Sequence, residues 1–450
     1  MVGSLYVAVA VQSLRFNCWM FEGLAMASQI QILSTKQASV SIAEPAGGAN
    51  AANLGIVSSA ATSRSPKMAS TWPAWMSRLP LEDTAPPLHS HAIAVAVPAR
   101  DEAARIVACL NALRISAETA GLNNVCVIVL VNNSRDSTAR YARAFNSKSM
   151  IVRVVEVTLV KAEAHAGGAR RLALDLALAE LPDRGVLMTT DADSQVDANW
   201  FAANLAEIEA GADAVAGVVM FAPDAHIPVT ASRHAEWRLA QLQARLHWLL
   251  DPRPQDRWPT HIWAWGASLA VTASAYRAVG GLPAVPLAED RAFAAMLDRH
   301  GFNVRRSHAP VVVTSHRRHG RAPGGLADML AAYSNDVMPC DAALEPTASL
   351  VRRLAWRAHL RNRFAQNGPK ICARMTSRLK IQLDSVSADE KKTFGNWWLA
   401  IENASPYLAR ERVLPASLPW EIRRAERLIN RIERKGRPGD IAQSVDAIFP

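Results

Sequence analysis

The chain has 450 residues, half of them hydrophobic, and a formal net charge of +10. That is ample for a sizeable core and for two or three domains. No apolar run reaches transmembrane length, and five scattered cysteines (Cys18, Cys109, Cys126, Cys340 and Cys372) lack the close spacing of a zinc or redox site, which reads as reduced thiols in a cytoplasmic protein.

Residues 1–90 are rich in Ala, Ser, Gly and Thr without a sustained period, and read as a disordered N-terminal segment. At residue 91 the character changes. An apolar run over 92–97, ending at Pro98, predicts a buried strand, and 102–120 predicts a helix on the spacing of Ile106, Cys109, Leu110 and Leu113. Strand 125–131 follows, then a helix to 144 capped by Asp136, strand 151–157, helix 167–181, strand 186–190, and helix 198–210 capped by Asp197. Strand alternating with helix at this spacing predicts βαβ units in a doubly wound α/β sheet, whose ligands bind beyond the carboxyl ends of the strands. Arg100-Asp101-Glu102, Asn132-Asn133, Asp191 and Asp193 fall there.

After a strand at 214–221 the alternation stops. An amphipathic helix is predicted over 231–250, then a loop rich in Pro and Trp, a strand at 268–272, a short helix ending at Gly280-Gly281, a helix over 289–300 and a strand at 311–313. From about residue 344 the pattern is helical, with basic amphipathic stretches at 351–383 and 418–436. Residues 341–450 hold 20 Lys/Arg against 12 Asp/Glu, a surplus of +8. Such a tail suits a solvated helical face, an anionic membrane or a nucleic acid, and no nucleic-acid-binding motif accompanies it. Three parts are expected: 1–90, 91–338 and 339–450.

Four constellations carry chemistry. Asp191-Ala192-Asp193 places two carboxylates on one side of an extended chain, which suits Mg²⁺ or Mn²⁺ completed by substrate phosphates, or equally a pair of solvated acids. His165-Ala166-Gly167-Gly168-Ala169-Arg170-Arg171 opens a helix with small residues and two arginines, for phosphate recognition or for a tight turn. Glu289-Asp290 opens a helix as a cap or as a general base. Residues 314–321, TSHRRHGR, form a cationic loop, solvated or neutralising a leaving diphosphate, with His316 and His319 as further polar groups. Neither a Walker loop nor the dinucleotide-binding Gly-x-Gly-x-x-Gly is present.

In this order the pieces resemble a family 2 glycosyltransferase with the GT-A fold, over roughly residues 91–335. The resemblance rests on VAVPARDEAARI, VNNSRDST, GGARRLAL, TTDADSQVDANWF, GASLAVTASAYRAVGGLP and LAEDRAFAAML. It implies a GT-A-like mixed sheet with helices on both faces and a nucleotide-diphosphate sugar as donor. Pro98, Arg100, Glu102, Asn132, Arg170 and Asp191 would line the donor site, and Arg317 or Arg321 would close over the diphosphate. Asp193, with Asp191 beside it, would hold Mg²⁺ or Mn²⁺. Asp290, with Glu289, would be the base; Trp263 and Trp265, just before Gly266 on the acceptor side, would stack on a sugar or an apolar acceptor, or equally serve as core aromatics. The resemblance also implies inversion at the anomeric carbon and a hydroxyl acceptor, a lipid or a small molecule.

Three positions depart from the family pattern. Asn132 stands for an acid, Arg100 for a tyrosine, and Thr272-Ala273 for a frequent arginine. The Q-x-x-R-W motif of processive synthases is absent, which points to transfer of single sugars by a cytoplasmic enzyme, peripheral at most to the inner membrane face through its basic tail. A sugar-phosphate nucleotidyltransferase is the alternative enzyme, although PARDEAAR lacks the glycines of its phosphate loop. A basic membrane-surface or nucleic-acid binding protein is the alternative outside catalysis.

Overall fold

The computed structural model describes residues 92–222, 230–253, 257–318, 320, 325–332, 339–382 and 393–434. The expected disordered segment at 1–90, and with it Cys18, lies outside these residues, as do His319 and Arg321.

Among the described residues, one eight-stranded mixed sheet has the order β3-β2-β1-β4-β7-β6-β8-β5. Its first half is parallel: β1 (Ile93–Ala99), β2 (Val125–Asn132), β3 (Met150–Val157) and β4 (Val186–Thr189). Central strands of a parallel sheet are covered on both faces, so they read as unbroken apolar runs. All eight residues of β2 are buried accordingly. The crossovers are α1 (Ile106–Thr119), α2 (Thr138–Arg143) and α3 (Ala166–Ala179).

Beyond β4 the sheet turns mixed. β7 (Leu269–Thr272) runs antiparallel between β4 and β6 (Ala214–Phe221), and β8 (Val304–Thr314) runs parallel to β6. β5 (Ser194–Val196) is a short edge strand antiparallel to β8. The helices here are α4 (Trp200–Glu209), α5 (Ala231–Leu250), α6 (Ala273–Ala278), α7 (Glu289–Arg299) and α8 (Leu326–Ala332).

Two expectations about strands need correction. β8 starts at Val304, seven residues before the predicted run, because Arg305, Ser307 and His308 hide its apolar signal while finding hydrogen-bond partners inside the fold. β5 was not expected at all. Its presence moves Asp197 to a strand end: Asp197 accepts from the Asn199 amide at 2.9 Å, and Asn199 is the cap position of α4. Asp136 likewise acts one residue early, accepting from the Thr138 amide at 2.9 Å while Ser137 occupies the cap.

The C-terminal part is helical: α9 (Thr347–Asn367), α10 (Ala373–Leu379), α11 (Phe394–Ala404) and α12 (Leu418–Arg434). Leu239, Leu242, Leu246 and Leu249 of α5 share a core with Leu350, Val351 and Leu354 of α9 and Ile429 and Ile432 of α12. A second core gathers Trp356, Leu360, Trp397, Trp398 and Ile401. No helix among the described residues is long and apolar enough to cross a membrane.

Candidate active site

The carboxyl ends of β1, β2 and β4 open on a cavity of about 440 Å³. Pro98, Arg100, Glu102, Asn132, Arg170, Asp191, Asp193, Trp265, Gly266, Glu289, Asp290 and Arg317 all line it, so residues from seven separate stretches of sequence meet in one place. Trp263 does not line it. It stacks behind Trp265, with ring centroids 5.2 Å apart, and packs against Trp237 of α5.

The β1 and β2 loops form one rim through bonds from backbone amides to side-chain oxygens. The Glu102 amide donates to Thr138 Oγ1 at 2.8 Å, the Ala103 amide to Asp136 Oδ2 at 3.0 Å, and the Arg135 amide to Asp101 Oδ1 at 2.7 Å. Asp101 and Asn133 adopt positive φ (52° and 53°), a conformation that Asp and Asn tolerate better than most residues.

The α3 N-terminus is built for close approach. His165 caps the helix, its Nδ1 accepting from the Gly168 amide at 3.0 Å. A Cβ on Gly167 would fall 2.0 Å from the Val285 carbonyl oxygen, so glycine lets the segment leading to Glu289 lie directly on the helix. That segment turns through Ala288 at φ 57°, ψ 35°, a left-handed alanine that costs roughly 1–2 kcal/mol, and α7 begins at the next residue. Glu289 and Asp290 then occupy its first turn, where the helix dipole favours negative charge.

Arg170 ties these parts together. Its Nε donates to Glu289 at 3.0 Å, Nη1 to Thr189 Oγ1 at 3.1 Å and to the Gly266 carbonyl at 2.9 Å, and Nη2 to Asp191 at 2.7 Å. Four of its five donors are thus committed within the protein. Burial opposes its charge, but the Asp191 and Glu289 carboxylates outweigh burial and hold its pKa above the ordinary value.

Asp193 is placed by β5. Ser194 pairs with Thr314 in antiparallel register, which sets Asp193 opposite Ser315. The Ser315 hydroxyl donates to Asp193 Oδ2 at 2.8 Å, and Arg317 Nη2 lies 3.1 Å from the same oxygen. Arg317 also donates through Nη1 to Glu102 Oε1 at 2.5 Å. Burial, and then the charge of Asp191, raise the Asp193 pKa above the ordinary carboxylate value against Arg317 and Ser315. His316 and Arg318, from the same loop, are exposed.

Asp290 accepts two backbone bonds, from the Gly266 amide at 2.8 Å and from the Arg291 amide at 2.7 Å. Burial, and then the neighbouring Glu289, raise its pKa. Arg291 turns away and grips Asp341 bidentately at 2.6 and 2.7 Å. Beneath the mouth, Cys109 donates weakly to the Asp191 carbonyl, and burial raises its pKa well above the ordinary thiol value.

Asp191 and Asp193 each keep one carboxylate oxygen with no hydrogen bond or ion pair among the described residues. Such a pair fits a hard cation that takes one or two carboxylates from protein and the rest from phosphate and water. Among the described residues no group of three or more His, Cys, Asp or Glu could hold an ion.

Sequence reasoning did not single out Thr189, Ser315 or the Gly266 carbonyl as partners of the charged groups. Thr189 and Ser315 stand beside quoted motif residues, and the signal that finds Ser315 is the β5–β8 register, which requires β5 to be recognised first.

The family model described as glycosyl transferase family 2 matches residues 94–257. No curated protein matches the chain by sequence. Among solved structures, S. aureus TarS 1-349 in complex with UDP is similar at 15% identity, covering 77% of this chain and 92% of that one, with a TM-score of 0.37. Glucosyl-3-phosphoglycerate synthase from Mycobacterium tuberculosis, in complex with Mn²⁺, UDP and phosphoglyceric acid, is 20% identical over 56% of this chain and 77% of its own, with a TM-score of 0.35. The mannosyltransferase PcManGT from Pyrobaculum calidifontis, in complex with GDP-Man and Mn²⁺, is 17% identical over 72% and 88%, with a TM-score of 0.36. The family match falls on the sheet-forming segment, so this part of the chain is similar to glycosyl transferase family 2.

Proposed function

We propose that the cavity transfers a single sugar from a nucleotide-diphosphate sugar to an acceptor hydroxyl, with inversion and with Asp290 as the base. One observation carries the reading: the cavity is lined by five carboxylates (Glu102, Asp191, Asp193, Glu289, Asp290) against four arginines, and one of these, Arg291, is committed to Asp341. A bare diphosphate would be repelled by such a surplus of negative charge. A diphosphate that arrives with a divalent cation would not.

Asp193 and Asp191 would hold that cation through their uncommitted oxygens. When bound, Mg²⁺ or Mn²⁺ supplies charge to the leaving diphosphate. Arg317 adds a second positive charge, held at the same end by Glu102 and Asp193. Arg170 is a positioning residue in this reading, fixing the relation between Asp191 and Glu289. Asp290, held by the Gly266 and Arg291 amides, is more basic than an exposed carboxylate and can take the acceptor proton. Trp265 offers an aromatic wall beside it for a sugar or an apolar acceptor.

The test is a panel of nucleotide sugars incubated with the protein and Mn²⁺ or Mg²⁺, with the nucleotide product identified. Release of a nucleoside diphosphate, abolished by chelation and restored by the cation, is expected. Pyrophosphate as the product would replace this reading by nucleotidyl transfer, and turnover that survives chelation would remove the cation from it.

A further inference from the structure

We propose that the outer face of α12 is a docking surface for an anionic phospholipid bilayer. Trp420, Arg423, Arg427, Arg431 and Arg434 recur every three or four residues along α12, and all five are exposed. That spacing puts them on one stripe of the helix.

The acids of the helix lie elsewhere. Glu426 pairs with Arg238 and Glu433 with Arg245, both on α5, and the buried Glu421 accepts from the Thr347 amide. Arg423, Arg427, Arg431 and Arg434 have no acidic partner among the described residues. Among the described residues the positive charge of the stripe is therefore uncompensated, while the apolar side of α12 (Ala425, Ile429, Ile432) already packs in the core. The helix has no apolar face left to insert beyond Trp420 at its start, and lies flat against its partner.

Charge alone would suit any polyanion. Two apolar side chains at the start of the helix favour a bilayer. Trp420 is 46% exposed, with Arg424 stacked 4.8 Å from its ring centre, and Leu414, just before the turn that leads into α12, is 67% exposed. Indole is suited to the headgroup boundary, and an aliphatic leucine gains from the apolar layer beneath it but has no stacking role on a nucleobase. Arginines over anionic headgroups, with Trp and Leu as shallow anchors, fit a surface carrying both phosphate charge and hydrocarbon. The inference does not depend on the catalytic reading.

The test uses the full chain and vesicle co-sedimentation. Vesicles of phosphatidylcholine alone are compared with vesicles of equal parts phosphatidylcholine and phosphatidylglycerol, at low salt and at about 0.5 M NaCl, where surface charge is screened. Binding to the mixed vesicles at low salt, at least tenfold weaker in high salt and at least tenfold weaker on phosphatidylcholine alone, is expected. R423E/R427E should lower binding about tenfold with an unchanged circular dichroism spectrum and melting temperature. W420A should remove the part that survives salt. Failure to bind the mixed vesicles, equal binding to both vesicle types, or tighter binding to polyuridylic acid at equal phosphate concentration overturns the proposal.

Discussion

Two arginine–carboxylate assemblies in this protein are made of the same groups and differ in what they leave open. Under the C-terminal helices, the Asp251 side chain is fully buried and accepts from Arg357 and Arg361 of α9 on both of its oxygens. At the cavity, Asp193 is paired with Arg317 through one oxygen, and Asp191 with Arg170 through one. Burial raises the pKa of both Asp251 and Asp193. For Asp251 the two arginines outweigh burial and bring its pKa down to about 2. For Asp193 a second carboxylate adds to burial, and the pKa stays raised. In the closed cluster the carboxylate is paired on both oxygens by two arginines and holds scaffold together. The cavity cluster is left short of positive charge, which suits the cation-bearing substrate proposed above.

The comparison breaks most visibly if each cluster is opened. Asp251→Ala leaves Arg357 and Arg361 without their partner, and chemical denaturation should show a loss of about 3–5 kcal/mol. The folded fraction should still bind its donor nucleotide. In the wild type, the depressed Asp251 pKa contributes stability above its ordinary value of 3.8 that is lost as pH falls towards about 2, so Asp251→Asn should flatten the acid limb of stability against pH. Asp290→Asn should do the opposite: stability unchanged or slightly raised, donor-induced thermal shift retained, and kcat lowered by about 10²–10⁴. In the wild type the rate should fall on the acid side at a pH above the usual carboxylate value, since the raised pKa means that Asp290 gains its proton earlier as pH drops. Full turnover by Asp290→Asn would move the base elsewhere in the cavity.

Most of this contrast was legible in the sequence on one side only. The cavity residues stand at the ends of strands or at helix starts, and the period change from two to 3.6 announces such positions, so Glu102, Asp191, Asp193 and Asp290 could be picked out. Their partners could not. That Arg170 spans Asp191 and Glu289 depends on Gly167 letting the segment before α7 lie on α3, a contact between residues 118 apart in the chain. That Arg317 reaches Asp193 depends on β5, three residues long and too short to show a period. The Asp251 cluster was invisible for a different reason. Asp251 follows α5 in a Pro-rich stretch, Arg357 and Arg361 belong to a helix that reads as basic and amphipathic, and their pairing comes only from the packing of α9 on α5.

Smaller changes sharpen the role of Arg170. Arg170→Lys keeps the charge but cannot donate to Glu289, Thr189, Gly266 and Asp191 at once. A fall of about tenfold in kcat, with a smaller change in donor affinity, is expected if Arg170 sets the geometry between the two acid pairs. A loss confined to donor affinity would make it a phosphate ligand instead.

Gly266→Ala is the mildest and the most telling. Gly266 has no positive φ, so alanine suits its backbone and by itself would stabilise the chain by about 0.4–1 kcal/mol through the unfolded state. The added Cβ, however, would fall 2.7 Å from the guanidinium carbon of Arg170. The backbone at Gly266 is fixed from both sides, its amide on Asp290 and its carbonyl on Arg170, so Arg170 must move. A shift of a few tenths of an ångström disturbs both carboxylates that Arg170 holds, Asp191 and Glu289, the latter next to Asp290. A melting temperature near that of the wild type with kcat several-fold lower would show that the cavity cluster, unlike the one around Asp251, is tuned for geometry more than for stability. A lower melting temperature with unchanged kcat would place Arg170 with the scaffold.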